Sequence, residues 1–132
     1  ETHEEITWSA LQASPFAQPA VMFRKEILQT IGNYNEDYER SQDYELWMRI
    51  LQTYKGYNIQ RPLLQYRITD EQGKTTNLRL TLRNTLRIQR TYLVNPVYRN
   101  IQGLITHLLH YPLFFLPNAA ILWLFRKIRL NE

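Results

Sequence analysis

Leucine spacing in the last third of the chain constrains its fold more than any other sequence feature. Leu78, Leu82 and Leu86 recur every four residues, which places them along one side of a helix. Arginines follow a similar period and form a second stripe at positions 79, 83, 87 and 90. This pattern predicts an amphipathic helix with a basic face that runs towards Leu93.

A second helix is predicted from the break at Asn95 to about His110, and an apolar run follows at residues 113–125. Pro117 interrupts that run, which is also shorter than the roughly 20 apolar residues that a membrane-spanning helix needs. Its flanking cations fit instead a helix in the interface of an anionic membrane; they are Arg126, Lys127 and Arg129. The same apolar side chains equally fit a surface that covers the rest of the protein or pairs with another subunit.

Composition excludes several classes of protein. The chain has 132 residues, of which 44% are hydrophobic, and this is the size and apolar content of one folded domain. Intrinsic disorder is therefore excluded for most of it. It contains no cysteine, so it has neither a disulfide nor a thiolate metal site, which is compatible with a reducing compartment. The net charge of +4 favours anionic partners without choosing among phosphates, nucleic acid and membrane surfaces.

The charge is unevenly distributed along the chain. Residues 1–45 contain nine acidic and three basic side chains, whereas no acidic residue occurs between Arg79 and Arg129. We therefore expect the two ends to do different things. The chain begins at Glu1 without an initiator methionine or a leader peptide, which we interpret as the sign of a fragment or processed piece.

The first part of the chain alternates predicted helices with short extended stretches. Residues 20–23 predict a buried strand, and residues 57–60 and 63–68 predict two further extended stretches. Helices are predicted at residues 4–13, at residues 26–31 with Gly32 as the C-cap, and from an N-cap at Ser41 to about Tyr54.

Four segments of this part carry a family pattern. In order they are residues 19–25 (PAVMFRK), 31–36 (IGNYNE), 42–49 (QDYELWMR) and 64–68 (LQYRI). In this order and at these spacings the chain resembles the C-terminal half of GT-A-fold, inverting family 2 glycosyltransferases. These nucleotide-sugar enzymes build bacterial surface polysaccharides, and the half in question binds the acceptor and supplies the catalytic base. Each segment alone is weak evidence, but their joint order is specific.

The resemblance implies a catalytic role for Asp43. Family members hold a Glu-Asp pair at the start of a helix, and the second carboxylate is the base that deprotonates the acceptor hydroxyl. Here the pair is Gln42-Asp43, so Asp43 takes the base role and Gln42 places an uncharged group where the family has a carboxylate. From the residues alone, the alternative is that Asp43 only stabilises the helix, as acidic residues in a first turn commonly do.

The resemblance also implies substrate-binding positions. Trp47 matches the family pattern and would form the floor of the acceptor pocket, although a tryptophan at helical spacing is more often part of a core. Arg24 and Arg67 follow apolar stretches, where a guanidinium group suits a diphosphate or an acidic sugar, or simply marks the end of a strand. Gln18 and Thr69 stand where family members commonly have histidine.

The fold implied is α/β, mixed α+β for this fragment: a partial Rossmann-like sheet with helices, followed by a helical C-terminal extension. Residues 1–76 would belong to the catalytic domain and residues 77–132 would form the basic, apolar tail. The nucleotide-binding half and its Asp-x-Asp motif are missing from these residues, so we expect no autonomous activity. The complete enzyme is expected to use Mg²⁺ or Mn²⁺, which this chain would not bind by itself.

The partners implied are a nucleotide-sugar donor and a glycan or lipid-linked acceptor, with the enzyme in the cytoplasm or held at the inner face of the cell membrane. The C-terminal helices would contact an anionic membrane surface or a second copy of the chain. The alternative function is a non-enzymatic basic module that binds membrane, protein or nucleic acid. We expect no nucleic-acid partner, because no recognition motif or aromatic platform accompanies the arginine stripe.

Two histidines in the second C-terminal helix raise the question of a metal site. His107 and His110 are three residues apart, a spacing at which two imidazoles can share a ligand. No third ligand lies nearby in the sequence, which favours a packed or membrane-side pair over metal binding.

Overall fold

Six α-helices and two short 3₁₀ helices account for the regular structure of residues 1–65 and 77–130, the part of the chain that the computed structural model describes. Side chains are described within these ranges except at positions 125, 126 and 128–130. The α-helices are α1 (His3–Ser9), α2 (Glu26–Ile31), α3 (Gln42–Ile50), α4 (Leu78–Tyr92), α5 (Ile101–His110) and α6 (Asn118–Leu130). The 3₁₀ helices are Gln18–Ala20 and Tyr111–Phe115.

The expectation of an α/β fold with a partial Rossmann-like sheet is wrong, because no β-strand occurs among the described residues. The apolar run at residues 20–23 follows a different course. Ala20 ends a 3₁₀ helix, and the extended backbone after it has no strand beside it. Met22 is 97% exposed, whereas Val21 and Phe23 pack against α3. The run therefore covers a helix, and without a neighbouring strand it cannot form a hydrogen-bonded ladder.

The stretch predicted as extended at residues 57–60 also has partners other than a strand. The side-chain amide of Asn58 donates to the carboxylate of Glu1 at 2.7 Å. The backbone N–H of Arg61 donates to the carbonyl of Ile59 at 2.9 Å and so closes a tight turn. The hydrogen bonds of this segment thus go to the N-terminus and to itself, which leaves no continuous row for a second strand.

Helix α3 lies at the centre of the molecule. Six of its residues are buried: Tyr44, Glu45, Leu46, Trp47, Met48 and Ile50. The side that carries Tyr44 and Met48 packs against α1, α4 and the turn after α4. The side that carries Leu46, Trp47 and Ile50 packs against residues 16–31, which include α2. Residues on both sides of position 77 therefore share one core, organised around this helix.

Helix α4 confirms the leucine periodicity. Leu78, Leu82 and Leu86 are all buried, while the four arginines of the second stripe are exposed. Leu82 and Leu86 pack against Leu113 of the second 3₁₀ helix. The ends of the two helices also follow the sequence, because α4 stops three residues before Asn95 and α5 stops at His110.

Buried polar groups close the C-terminal end of α1. The last carbonyl groups of a helix find no partner within it. The hydroxyl of Tyr44 donates to the carbonyl of Ala10 at 2.6 Å, and the amide of Gln89 donates to the carbonyl of Leu11 at 2.8 Å. Burial raises the pKa of Tyr44 well above its ordinary value, so the hydroxyl keeps the proton that it donates. Helices α3 and α4 are thereby joined to α1 by directional bonds as well as by apolar contact.

Gln89 also connects α4 to α5. Because its amide nitrogen donates to Leu11, its oxygen is the acceptor, and it lies 3.3 Å from Nδ1 of His107 and 3.1 Å from Nδ1 of His110. This arrangement assigns a hydrogen to Nδ1 of both imidazoles. Nε2 of His107 then accepts from the hydroxyl of Tyr111 at 3.3 Å. The two histidines form a packed pair on one amide oxygen.

The apolar C-terminal run is held against α4. The guanidinium of Arg79 donates to the carbonyls of Phe114 at 2.6 Å and Leu116 at 3.2 Å, and Ile121 of α6 is fully buried. None of the helices in the described ranges combines the length and the apolar character needed to cross a membrane.

We predict that the histidine pair makes the fold less stable in acid. Burial lowers the pKa of His107 and of His110, and the charge of Arg90 lowers that of His107 further. In the unfolded chain both imidazoles take up protons near the ordinary pKa of about 6.5. The unfolded state then binds more protons than the folded state below that pH. The stability contributed by the pair is therefore complete above about pH 6.5 and is lost as the pH falls.

Urea unfolding at several pH values between about 7.5 and about 5 measures this dependence. A His107→Gln, His110→Gln double variant should lose part of the slope, whereas His3→Gln, the control outside the pair, should keep it. An unchanged slope in the double variant would contradict the role of the pair.

Candidate functional site

The backbone immediately before α3 is strained. Ser41 has φ 61° and ψ 21°, the left-handed conformation, which residues other than glycine rarely adopt and which costs about 1 kcal/mol or more. The side chain of Ser41 makes no capping hydrogen bond, so the predicted N-cap interaction is wrong, although its carbonyl accepts the N–H of Glu45 at 3.1 Å. Strain of this kind persists only where the surroundings enforce it, and it clusters at functional sites.

The predicted catalytic pair follows directly. Gln42 and Asp43 form the first turn of α3 and are both half-buried. Their backbone is held from the C-terminal side by the buried residues of α3 and from the N-terminal side by Ser41. The partial positive charge at the helix N-terminus stabilises a carboxylate at this point. Asp43 therefore lies at the edge of the core, on the backbone of a buried helix and partly open to solvent.

An ion pair holds the neighbouring loop. The guanidinium of Arg49 contacts the Glu45 carboxylate in a bidentate manner, with Nε 2.8 Å from Oε1 and Nη2 2.9 Å from Oε2. The same guanidinium donates to the carbonyl of Ile31 at 2.5 Å and to that of Asn33 at 2.7 Å. The hydroxyl of Tyr92 also reaches Glu45, at 3.5 Å. One arginine thus joins α3, the end of α2 and the start of the loop that leads to Asp43.

Helix α2 ends as the sequence predicts. Gly32 has φ 84°, which favours glycine, and its N–H donates to the carbonyl of Leu28 at 2.9 Å. The turn made by Gly32 brings the carbonyls of the last turn to the Arg49 guanidinium.

Two other predicted site residues lie on the segment beside α3. Gln18 is exposed, and its amide donates to the hydroxyl of Tyr34 at 3.3 Å. It therefore touches the loop that precedes Ser41. Arg24 is exposed at the end of the extended segment, directly before α2. The structure brings Gln18 to this loop and leaves Arg24 on the surface of the same segment.

Trp47 occupies the core. It is 1% exposed and makes edge-to-face contacts with Phe16 and Phe23, at ring-centroid distances of 5.9 and 5.8 Å. Its indole N–H is buried without a hydrogen-bond partner among the described residues. Trp47 thus packs the segment at residues 16–23 onto α3, while direct contact with an acceptor stays a prediction.

Arg67 and Thr69 lie outside the described residues, as does the second half of the stretch predicted as extended at residues 63–68. The diphosphate contact expected of Arg67 stays a prediction.

A polar cleft of about 380 Å³ lies between the loop at residues 37–39 and α4. Its lining residues are Asp37, Glu39, Leu80, Arg83, Asn84 and Arg87. The amide of Asn84 donates to the carbonyl of Arg40 at 2.8 Å, and the Arg87 guanidinium lies 4.6 Å from the centre of the Tyr38 ring. These contacts fix the residues that lead into Ser41. The cleft offers carboxylates and guanidinium groups together, which suits a polar ligand.

The described residues do not fit the divalent metal expected for the complete enzyme. No three histidine, aspartate or glutamate side chains among them lie close enough together to hold an ion. Asp37 and Glu39 share their cleft with two arginines, and the Arg87 guanidinium lies 4.0 Å from the Asp37 carboxylate. The expected metal and its Asp-x-Asp ligands stay a prediction for residues beyond this chain.

Sequence reasoning missed two features of the site. The spacing of Glu45 and Arg49, four residues apart on a predicted helix, was a signal for their ion pair. The bonds from Arg49 to α2 had no such signal, because they join residues far apart in the sequence. The left-handed conformation of Ser41 is equally invisible in a sequence, where serine before a helix favours an ordinary cap.

Comparisons with known proteins give a partial similarity. Over 62 residues the chain is 39% identical to UDP-Gal:alpha-D-GlcNAc-diphosphoundecaprenol beta-1,3-galactosyltransferase of Escherichia coli. The matched stretch is 46% of this chain and 22% of that protein, so the chain spans less than a quarter of the relative's length. No family model matches, and no solved structure matches. The similarity supports a relationship between part of the chain and a glycosyltransferase.

We predict that the hydrogen bonds and the ion pair of Arg49 are the main polar interactions that hold α2 against α3. Arg49→Met keeps an unbranched stem but removes five donors and leaves the buried Glu45 carboxylate without its counter-ion. The free energy of unfolding should fall by about 2 kcal/mol or more. Urea unfolding measures the change. Arg83→Met, on the exposed face of α4, serves as the control and should shift stability by no more than about 0.5 kcal/mol. Equal effects of the two variants would contradict the assignment.

Proposed function

We propose that this chain is the acceptor-binding and catalytic-base part of an inverting glycosyltransferase that uses a nucleotide-sugar donor. The observation that carries the proposal is the position of Asp43, in the first turn of a buried helix behind a strained serine. The partial identity to a galactosyltransferase supports the same reaction class. The motif order across residues 19–68 supports the roles within it.

In the proposed reaction the Asp43 carboxylate accepts the proton of an acceptor hydroxyl. The acceptor oxygen forms a bond to the anomeric carbon of the donor sugar, and the bond from that carbon to the phosphate oxygen breaks. The nucleoside diphosphate leaves with the electron pair, and attack from the opposite side inverts the configuration. The base must stay fixed beside the hydroxyl as the proton moves. The backbone of α3, buried in the core and joined to the end of α2 by Arg49, suits this need.

The acceptor that we propose is a sugar attached to a lipid diphosphate. The relative in Escherichia coli acts on alpha-D-GlcNAc-diphosphoundecaprenol, as its name states. Gln42, adjacent to Asp43, and Gln18, beside Tyr34 of the preceding loop, offer amide groups for hydrogen bonds to sugar hydroxyls, and Arg24 presents an exposed cation for a phosphate. Arg67 is proposed for the same diphosphate. Trp47 acts mainly by holding the segment that carries Gln18 against α3.

We propose that the donor site lies in a nucleotide-binding region. Residues 1–76 would complete the catalytic domain together with that region, and residues 77–132 would follow this domain as a tail. The sugar transferred and the divalent metal, Mg²⁺ or Mn²⁺, depend on that region. The alternative of a basic nucleic-acid module has less support, because two of the four arginines in the stripe are already engaged. Arg79 binds two backbone carbonyls and Arg87 stacks on Tyr38.

The test is Asp43→Asn in the complete transferase. Asparagine is tolerated in the first turn of a helix, so folding should persist while the proton acceptor is lost. Sugar transfer to a lipid-linked acceptor should fall by about 10²- to 10⁴-fold, with donor binding retained. The matched control is Glu26→Gln, because Glu26 is an exposed carboxylate in the first turn of α2. Transfer at near-normal rates in the Asp43 variant would remove Asp43 from the mechanism.

A further inference from the structure

Helix α5 has the reverse of the polarity of an ordinary surface helix, with its polar side against the protein and its apolar side exposed. Its polar residues face the protein, with Gly103 and His107 buried and Thr106 and His110 half-buried. Its large apolar residues face outward. They are Ile101 (65% exposed), Leu104 (37%), Ile105 (50%), Leu108 (57%) and Leu109 (64%), and we call them the α5 apolar face. A helix in water normally shows the reverse pattern, so this face is built to be covered.

The orientation of α5 is fixed by its inner side. His107 and His110 both bind the Gln89 oxygen, and rotating α5 to bury its leucines would break these bonds. Gly103 lies so close to α1 that an added Cβ would be 2.8 Å from a methyl carbon of Leu11. The apolar face therefore points outward because the polar side is required inside.

Exposed apolar side chains continue the face at both ends. Val94 and Val97 are exposed before α5, and Tyr111 and Phe115 are exposed directly after it. Trp8 borders it from α1, because its indole N–H donates to the Gln102 side chain at 3.1 Å. An aromatic ring with a polar edge of this kind favours the boundary between lipid and water.

Charge decides which occupant suits this surface. No aspartate or glutamate occurs between residues 72 and 131, whereas exposed cations lie near both ends of the segment. Arg99 is exposed two residues before α5, and Lys127 of α6 lies 5.1 Å from the ring of the exposed Trp123. Two copies of the chain facing each other here would bring like charges together. Anionic lipid headgroups would complement them.

We propose that α5 is a membrane-docking helix whose apolar face lies in the headgroup region of an anionic bilayer. The helix would lie flat along the surface, with Arg99 among the headgroup phosphates. Glu4 and Glu5 of α1 lie about one turn before Trp8, and their carboxylates would keep that edge of the α5 apolar face in water. This surface is distinct from the Asp43 site and does not depend on sugar transfer.

Vesicle flotation of the whole chain tests the proposal. The chain should float with vesicles that contain phosphatidylglycerol and phosphatidylcholine, and much less with phosphatidylcholine alone. Ile105→Ser with Leu108→Ser should weaken binding to the anionic vesicles at least about tenfold. The matched control is Tyr57→Ser with Ile59→Ser, which removes two equally exposed apolar side chains elsewhere and should leave binding unchanged.

A second measurement does not depend on these variants. The chain has no cysteine, so Ile105→Cys provides a single position for a fluorescent label, and Ile59→Cys provides the control position. Nitroxide groups carried by the lipids should quench the label at position 105 and not at position 59. Failure to bind anionic vesicles, equal loss in both serine variants, or quenching only at position 59 would overturn the proposal. So would a stable dimer in solution that the α5 variant dissociates and that does not bind vesicles.

Discussion

Burial of α3 on two different sides is the constraint on which the rest of the structure depends. A helix of nine residues cannot bury both Tyr44 and Leu46 unless separate parts of the chain reach it from each side. Residues 16–23 and α2 cover one side, and α1 and α4 cover the other. The first turn of α3 is consequently the point where the core meets the surface. The core thus supports the backbone at Asp43, while the carboxylate itself stays only half-buried.

Polar bonds then set the orientation of the outer helices. Tyr44 and Gln89 bind the buried carbonyls of the two residues that follow Ser9 directly after α1, and Arg49 binds the last carbonyl of α2. Because Gln89 must also satisfy two imidazoles, α5 packs by its polar side. The position of one buried amide in α4 therefore exposes a row of leucines and isoleucines on the far side of α5. The hydrogen bonds of Gln89 therefore stabilise the core and also leave the α5 apolar face exposed.

The sequence predicts the helices far better than it predicts their packing. The period of Leu78, Leu82 and Leu86 reflects one buried stripe, and Gly32 marks a positive φ, so both could be found locally. The apolar run at residues 20–23 suggested a strand because periodicity cannot distinguish a strand from an extended segment that covers a helix. Asp43 followed from the motif order. Ser41 and the contacts of Arg49 depend on tertiary structure, which no local pattern records.

The central claim is that a sugar attached to a lipid diphosphate binds at the N-terminus of α3. Titration of the isotope-labelled chain with a soluble GlcNAc-diphosphate that carries a short prenyl group tests this directly by nuclear magnetic resonance. The account predicts chemical-shift changes at the backbone amides of Ser41, Gln42 and Asp43 and at the side-chain amide of Gln18. Absence of binding, or shift changes confined to α4 and α5, would contradict it.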